Sequence, residues 1–226
     1  MRQKQIIRGG SAGRACERGF TALELVIVVS IILVITAVAI PGYLSMMSYL
    51  RIAGDARDIN GLVAQAKMRA AQDFTHARLR ANLDTNTFQL EVWNKNGNGG
   101  AGCWQTEGDG VNACTANSSP VQALSQGVSF GFGNAAPGAP NPQTTIAQAP
   151  NCLSGLGGGT AGSAVPNTAC IEFNSRGIPI ASTGSPTPSD ALYVTDGNVV
   201  YGVTVIISGM IQVWTTGASN TAWQAR

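Results

Sequence analysis

From Phe20 to Ile40 the chain runs 21 residues in which only Thr21, Glu24, Ser30 and Thr36 are polar. No other segment restricts the possible folds as much. At about 1.5 Å per helical residue the run extends roughly 31 Å, the thickness of a bilayer core. Val, Ile, Leu and Ala fill it without period-2 alternation. In lipid a lone segment must satisfy its own backbone polar groups, which leaves helix as the workable state. Ahead of the run stand Arg2, Lys4, Arg8, Arg14 and Arg18 against one acid, Glu17. That bias keeps residues 1–19 cytoplasmic and sends the C-terminal bulk across the membrane.

The run does not read as a secretory signal peptide, whose small-residue cleavage site follows its apolar core. Here the small residue, Gly19, precedes the core, and Ile40 is followed by Pro41-Gly42-Tyr43. Cleavage after Gly19 would discard the charges and keep the helix. Glu24 then becomes the anomaly, because a carboxylate in a membrane segment costs roughly 2.5–3.5 kcal/mol on insertion scales and marks a functional position. Cleavage would leave a cationic α-amine on Phe20 that Glu24 of a neighbouring helix can neutralise, rewarding one packing register.

Gly19, Phe20, Glu24 and Pro41 together resemble the class III signal of type IV pilins and type II secretion pseudopilins. The resemblance implies that a prepilin peptidase cuts between Gly19 and Phe20 and N-methylates Phe20. It implies that Glu24 guides docking into a filament and that Pro41 marks a break in the helix. It further implies partners: other major and minor pilins or pseudopilins, an inner-membrane assembly platform and membrane lipid. The location implied is the bacterial inner membrane in single-pass form, then a pilus or pseudopilus.

Once residues 1–19 are removed, nine Lys/Arg face eleven Asp/Glu, and from Ala81 onward only Lys95, Arg176 and Arg226 remain against seven acids. A nucleic-acid surface needs clustered cations to displace counterions, so this balance argues against one. Of five cysteines, Cys16 lies in the leader; Cys103, Cys114, Cys152 and Cys170 lie on the exported side. Disulfides are the default there. Three connectivities are open, and Cys103–Cys114 with Cys152–Cys170 is favoured because both would staple loop-rich segments locally. A zinc site lacks a C-x-x-C spacing or a histidine partner.

Residues 43–80 read as an amphipathic continuation of the helix, with Ile59, Leu62, Val63, Ala66, Ala70, Phe74 and Ala77 on one face. Gly54 and Gly61, with Pro41, mark expected bends. Residues 81–226 read as a β-rich head: strands at 87–93, weakly at 128–132, at 170–173 and 178–180, then a meander over 191–195, 199–207 and 210–214. Residues 94–169 are rich in Gly, Pro, Asn and Ser and read as long loops. The fold class is therefore α+β, and the resemblance implies the pilin fold, one long helix on an antiparallel C-terminal sheet. Ile171–Gly177, followed by a hairpin ending in Ser208–Trp214, looks like the GspH/FimT group of minor pilins.

Two G-x-G-x-x-G matches, Gly97–Gly102 and Gly157–Gly162, lack the strand-then-helix context of a dinucleotide site and read as loop. The sole histidine, His76, reads as part of a polar helix face, and Asp190, Asp196 and Asn198 as turn residues without calcium-loop spacing. No catalytic constellation, cofactor motif or metal ligand set emerges. Some FimT-like proteins take up DNA through arginines beside the hairpin glycine; Ser208-Gly209-Met210 carries none. Lys67, Arg69, Arg78 and Arg80 read as a solvated helix face. The function implied is a minor pilin or pseudopilin that primes or caps a type IV pilus or related filament, not an enzyme. The alternatives are the H-type minor pseudopilin of type II secretion and, less favoured, a DNA-uptake pilin.

Overall fold

The computed structural model describes residues 21–106, 114, 121–133, 135, 138–156, 162–181, 183–187, 189–217 and 222–226. Residues 1–20, with the Gly19–Phe20 junction and Cys16, lie outside these, as does most of the second glycine-rich motif. Two compact units are distinguished, Met1–Leu44 and Ser45–Arg226. One helix, α1 (Ala22–Gln72), contributes to both.

In the first unit α1 is apolar on every side and exposed on every side: Leu23, Ile27, Leu33 and Val38 all present most of their surface. A helix apolar all round belongs inside a larger assembly or a membrane. It is long and apolar enough to cross a bilayer. Its hydroxyls are absorbed internally, Ser30 Oγ donating to the Val26 carbonyl at 2.7 Å and Thr36 Oγ1 to Ile32 at 2.9 Å. The expected break at Pro41 is not seen: helical structure runs through Pro41, Gly54 and Gly61. Proline removes a single backbone donor, and the turns on either side retain theirs.

In the second unit α1 turns amphipathic and buries Ile52, Ala56, Ile59, Val63, Ala66 and Ala70. Each fully buried Ile or Val contributes about 1.5–3 kcal/mol relative to exposure. The helix ends sooner than its periodicity predicts. Residues 77–80, read as helix, form with residues 81–82 the strand β1 (Ala77–Asn82) instead. Thr75 N–H donates to the Ala70 carbonyl at 3.2 Å, closing the last turn, and Phe74 sits there at φ 48° with its ring 76% exposed. Phe74 is therefore not a core residue, contrary to its place in the apolar pattern.

Two antiparallel sheets replace the single sheet implied. The first orders as β3 (Cys103–Thr106), β2 (Thr87–Asn94), β1, β6 (Thr168–Phe173) and β7 (Pro179–Ile180), with β4 (Gln122–Ala123) also on β2. The second orders as β11 (Gln224–Ala225), β10 (Ile211–Gly217), β9 (Val199–Ile206), β8 (Ser189–Thr195) and β5 (Ser129–Phe130). Leu79, Leu90, Ile171 and Phe173 of the first sheet and Leu192, Val194, Val203 and Val205 of the second join the helix residues in one core. The architecture is α+β, one long N-terminal helix packed on antiparallel β-structure. Strands β3, β4 and the start of β6 fall in residues 94–169, so this stretch is not loop throughout.

Candidate functional site

Glu24 lies in the first turn of α1. Thr21 caps that turn: its Oγ1 accepts from the Glu24 backbone N–H at 3.2 Å, and its carbonyl accepts from Leu25 at 3.2 Å. Thr21-x-x-Glu24 has the spacing of a capping box, a pattern not used in reading the sequence although it was legible there. The carboxylate also complements the positive end of the helix dipole. Among the described residues its side chain has no ion-pair partner. Every other polar side chain of the apolar run is bonded to its own helix or serves as its cap, which leaves this carboxylate open to a group from outside.

The cysteines pair locally. Cys103 is joined to Cys114 and Cys152 to Cys170, with Cα atoms 5.7 and 5.0 Å apart. Cys103 pairs with Asn94 on the α1 side of the first sheet, whereas Cys170 stands beside Arg80 on the face that points away from α1. That face is charged and buried, which the sequence reading missed. Arg78, 2% exposed, sends Nη2 and Nε to Glu91 Oε2 at 2.7 Å each, Nη1 to the Leu153 carbonyl at 2.7 Å, and stacks 3.8 Å from the Trp104 ring centroid. Arg80 Nη1 reaches Glu91 Oε1 at 3.1 Å, and Gln89 Nε2 reaches the same oxygen at 2.7 Å. Burial pushes the Glu91 carboxyl up, but the charges of Arg78 and Arg80 outweigh it and hold the group below its ordinary range. Arg78 and Arg80 are thus strand residues committed to a carboxylate, not a solvated helix face.

His76 is likewise not on the helix. It precedes β1, and its Nδ1 lies 2.8 Å from Glu172 Oε1. Asp196 Oδ1 accepts the Asn198 and Val199 N–H groups at 2.9 and 2.8 Å, and its Oδ2 accepts Ser48 Oγ at 2.9 Å, so it ties a turn to α1. Asp190 is buried, with Oδ2 unpartnered among the described residues, and burial raises its pKa to about 6. The Gly97–Gly102 segment is a turn folded beside the first disulfide: a side chain at Gly97 would strike the sulfurs of Cys103 and Cys114. Among the described residues no cluster of three or more His, Cys, Asp or Glu side chains is placed to hold a metal. At the hairpin where DNA-binding arginines would sit, Lys67 Nζ donates to the Gly209 carbonyl at 2.9 Å.

What these features define is a helix-led α+β protein with an apolar N-terminal segment, a lone carboxylate and a disulfide-stapled head. No family model matches the chain. No curated protein matches it either. Among solved structures it is similar to the minor pseudopilin EpsH from the type 2 secretion system of Vibrio cholerae, at 11% identity and a TM-score of 0.39, over 72% of this chain and 94% of that one. At that identity and score the likeness decides neither fold nor function.

Proposed function

We propose that the protein is a minor pilin or pseudopilin, a structural subunit that enters a type IV pilus or related filament after prepilin peptidase cuts between Gly19 and Phe20. The observation that carries this reading is the lone open carboxylate of Glu24 on a helix otherwise apolar and exposed all round. A simple membrane anchor gains from that carboxylate only about 0.3–1 kcal/mol at the helix start, less than the insertion cost, whereas a lateral array of such helices also gains an ion pair. The new α-amine of Phe20 on one subunit meets Glu24 of the next, and the apolar surface that faced lipid then faces neighbouring helices. The head is a passenger of this assembly, held on the exported side with its disulfides oxidised. Its role is non-enzymatic, to prime or cap the filament.

Four measurements test the reading. Mass spectrometry of the mature N-terminus should find Phe20 first and N-methylated. Glu24→Val should leave membrane insertion intact while removing the protein from sheared filaments on immunoblots; normal incorporation would sink the pairing argument. Deletion should impair piliation before it impairs protein secretion. The soluble head should not shift DNA in a gel, since from Ala81 onward it carries three Lys/Arg against seven acids, too few cations to displace phosphate counterions.

A further inference from the structure

A groove of about 550 Å³ opens in the head between α1 and two turns, the one after β6 and the one between β9 and β10. Its floor is apolar, made by Ala64, Met68 and Ala71 of the helix and Ile211 of β10, and its cations are Lys67 and Arg176. Beside it Met210 and Ile207 stand 54% exposed, and Met68 is 63% exposed. Large apolar side chains gathered at one exposed place mark interaction surfaces, and flexible methionines suit binding to peptides.

The lysine is held rather than free. Its stem passes two left-handed turn glycines: a Cβ at Gly177 (φ 70°) would lie 3.2 Å from Lys67 Cγ, and one at Gly209 (φ 73°) 3.0 Å from Nζ. One turn belongs to each sheet, so both sheets fix the same cation. Among the described residues Lys67 Nζ spends one of its three donors, on the Gly209 carbonyl, and the Arg176 guanidinium has no partner. Among the described residues no acidic side chain lines the groove. A pre-ordered cation lowers the entropic cost of binding.

We propose that this groove docks an acidic amphipathic segment of another protein, its apolar side chains seated on Met68 and Ile211 and a carboxylate held by Arg176 and Lys67. Charge complementarity selects the occupant: two cations over an apolar floor fit a short acidic peptide. A nucleic acid would need more phosphate contacts than two cations supply. The inference stands on the head alone and survives if the filament reading fails.

The test uses the full chain in detergent micelles, labelled with ¹³C at the methionine methyls. A short synthetic peptide of Leu, Ala and Glu should move the Met68 and Met210 signals and leave those of Met46 and Met47 in place. The same peptide with Lys for Glu should bind at least about tenfold more weakly, as should the Glu peptide to Arg176→Glu, while Arg176→Lys keeps most of the affinity. Arg176 is exposed in a turn, and the unliganded spectrum reports that each variant is folded. Equal binding of the two peptides would overturn the proposal, as would the absence of any shift. So would shifts driven by an oligonucleotide or anionic lipid but not by the Glu peptide, or by protein concentration alone, which would make the occupant a second copy.

Discussion

Replacing Glu91 with Leu should destabilise the head by about 3–5 kcal/mol, because it strips the counter-ion from a buried arginine. The magnitude follows from what Arg78 would have left. It is 2% exposed, and two of its donors lie 2.7 Å from Glu91 Oε2. Without that oxygen the cation keeps the Leu153 carbonyl and the Trp104 face. Neither group is charged. The double variant Arg78→Met/Glu91→Leu removes both ions and fills the space with apolar atoms, so it should recover at least about 2 kcal/mol of the single variant's loss. Urea unfolding followed by tryptophan fluorescence reports it, since Trp104 sits on the guanidinium. Because Glu91 is held below its ordinary value, its stabilisation is present above the usual carboxylate range and is lost as pH falls through its lower folded pKa. Glu91→Leu should flatten that acid limb. A double variant as unstable as the single one would refute the account of two mutually dependent buried charges.

Asp190 has the opposite sign. Its pKa is raised by burial from 3.8 to about 6, so the stabilisation of its protonated form is complete below pH 3.8 and gone above 6. Asp190→Asn should therefore stabilise by on the order of 1–3 kcal/mol at pH 7.5 and by little at pH 3.5, read as Tm against pH. Replacing Cys152 and Cys170 by Ser opens an 18-residue loop and should cost about 3 kcal/mol on chain-entropy grounds, measured as a lower urea midpoint than wild type with no reductant present. Phe74→Gly should stabilise by about 1 kcal/mol, since φ 48° suits glycine and the Phe ring is largely exposed; a thermal melt no higher than wild type would refute this.

The apolar run and the C-terminal meander were legible because each repeats one signal over many residues. Thr87–Trp93 alternates and Val199–Ile207 is an apolar run rich in β-branched residues, and their strands fall within a residue of those limits at either end. Residues 77–80 misled because Ala77, following Ala66, Ala70 and Phe74, continues the helical spacing. Yet Ala-Arg-Leu-Arg-Ala-Asn also alternates with period 2. The tie breaks on a partner distant in sequence: Glu91 and Leu153 make a buried arginine tolerable, and no local pattern contains them. Strand β3 was hidden for the same reason, since Trp104 needs Arg78 beneath it. The capping box at Thr21 and Glu24 was readable, but the membrane setting of Glu24 drew attention away from its helix-starting role.

The pairing of β1 with β6 has a consequence for how the head assembles. Asn82 meets Thr168, so the centre of the first sheet closes only after the whole intervening chain has been looped back. The β8–β9–β10 meander needs only short turns. Loop-closure entropy then sets an order: the meander forms early on the helix, and the first sheet waits for β6. Cys152 and Cys170 are only 18 residues apart, so their bridge can close before that slow step and deliver β6 to the sheet already tied to the loop ahead of it.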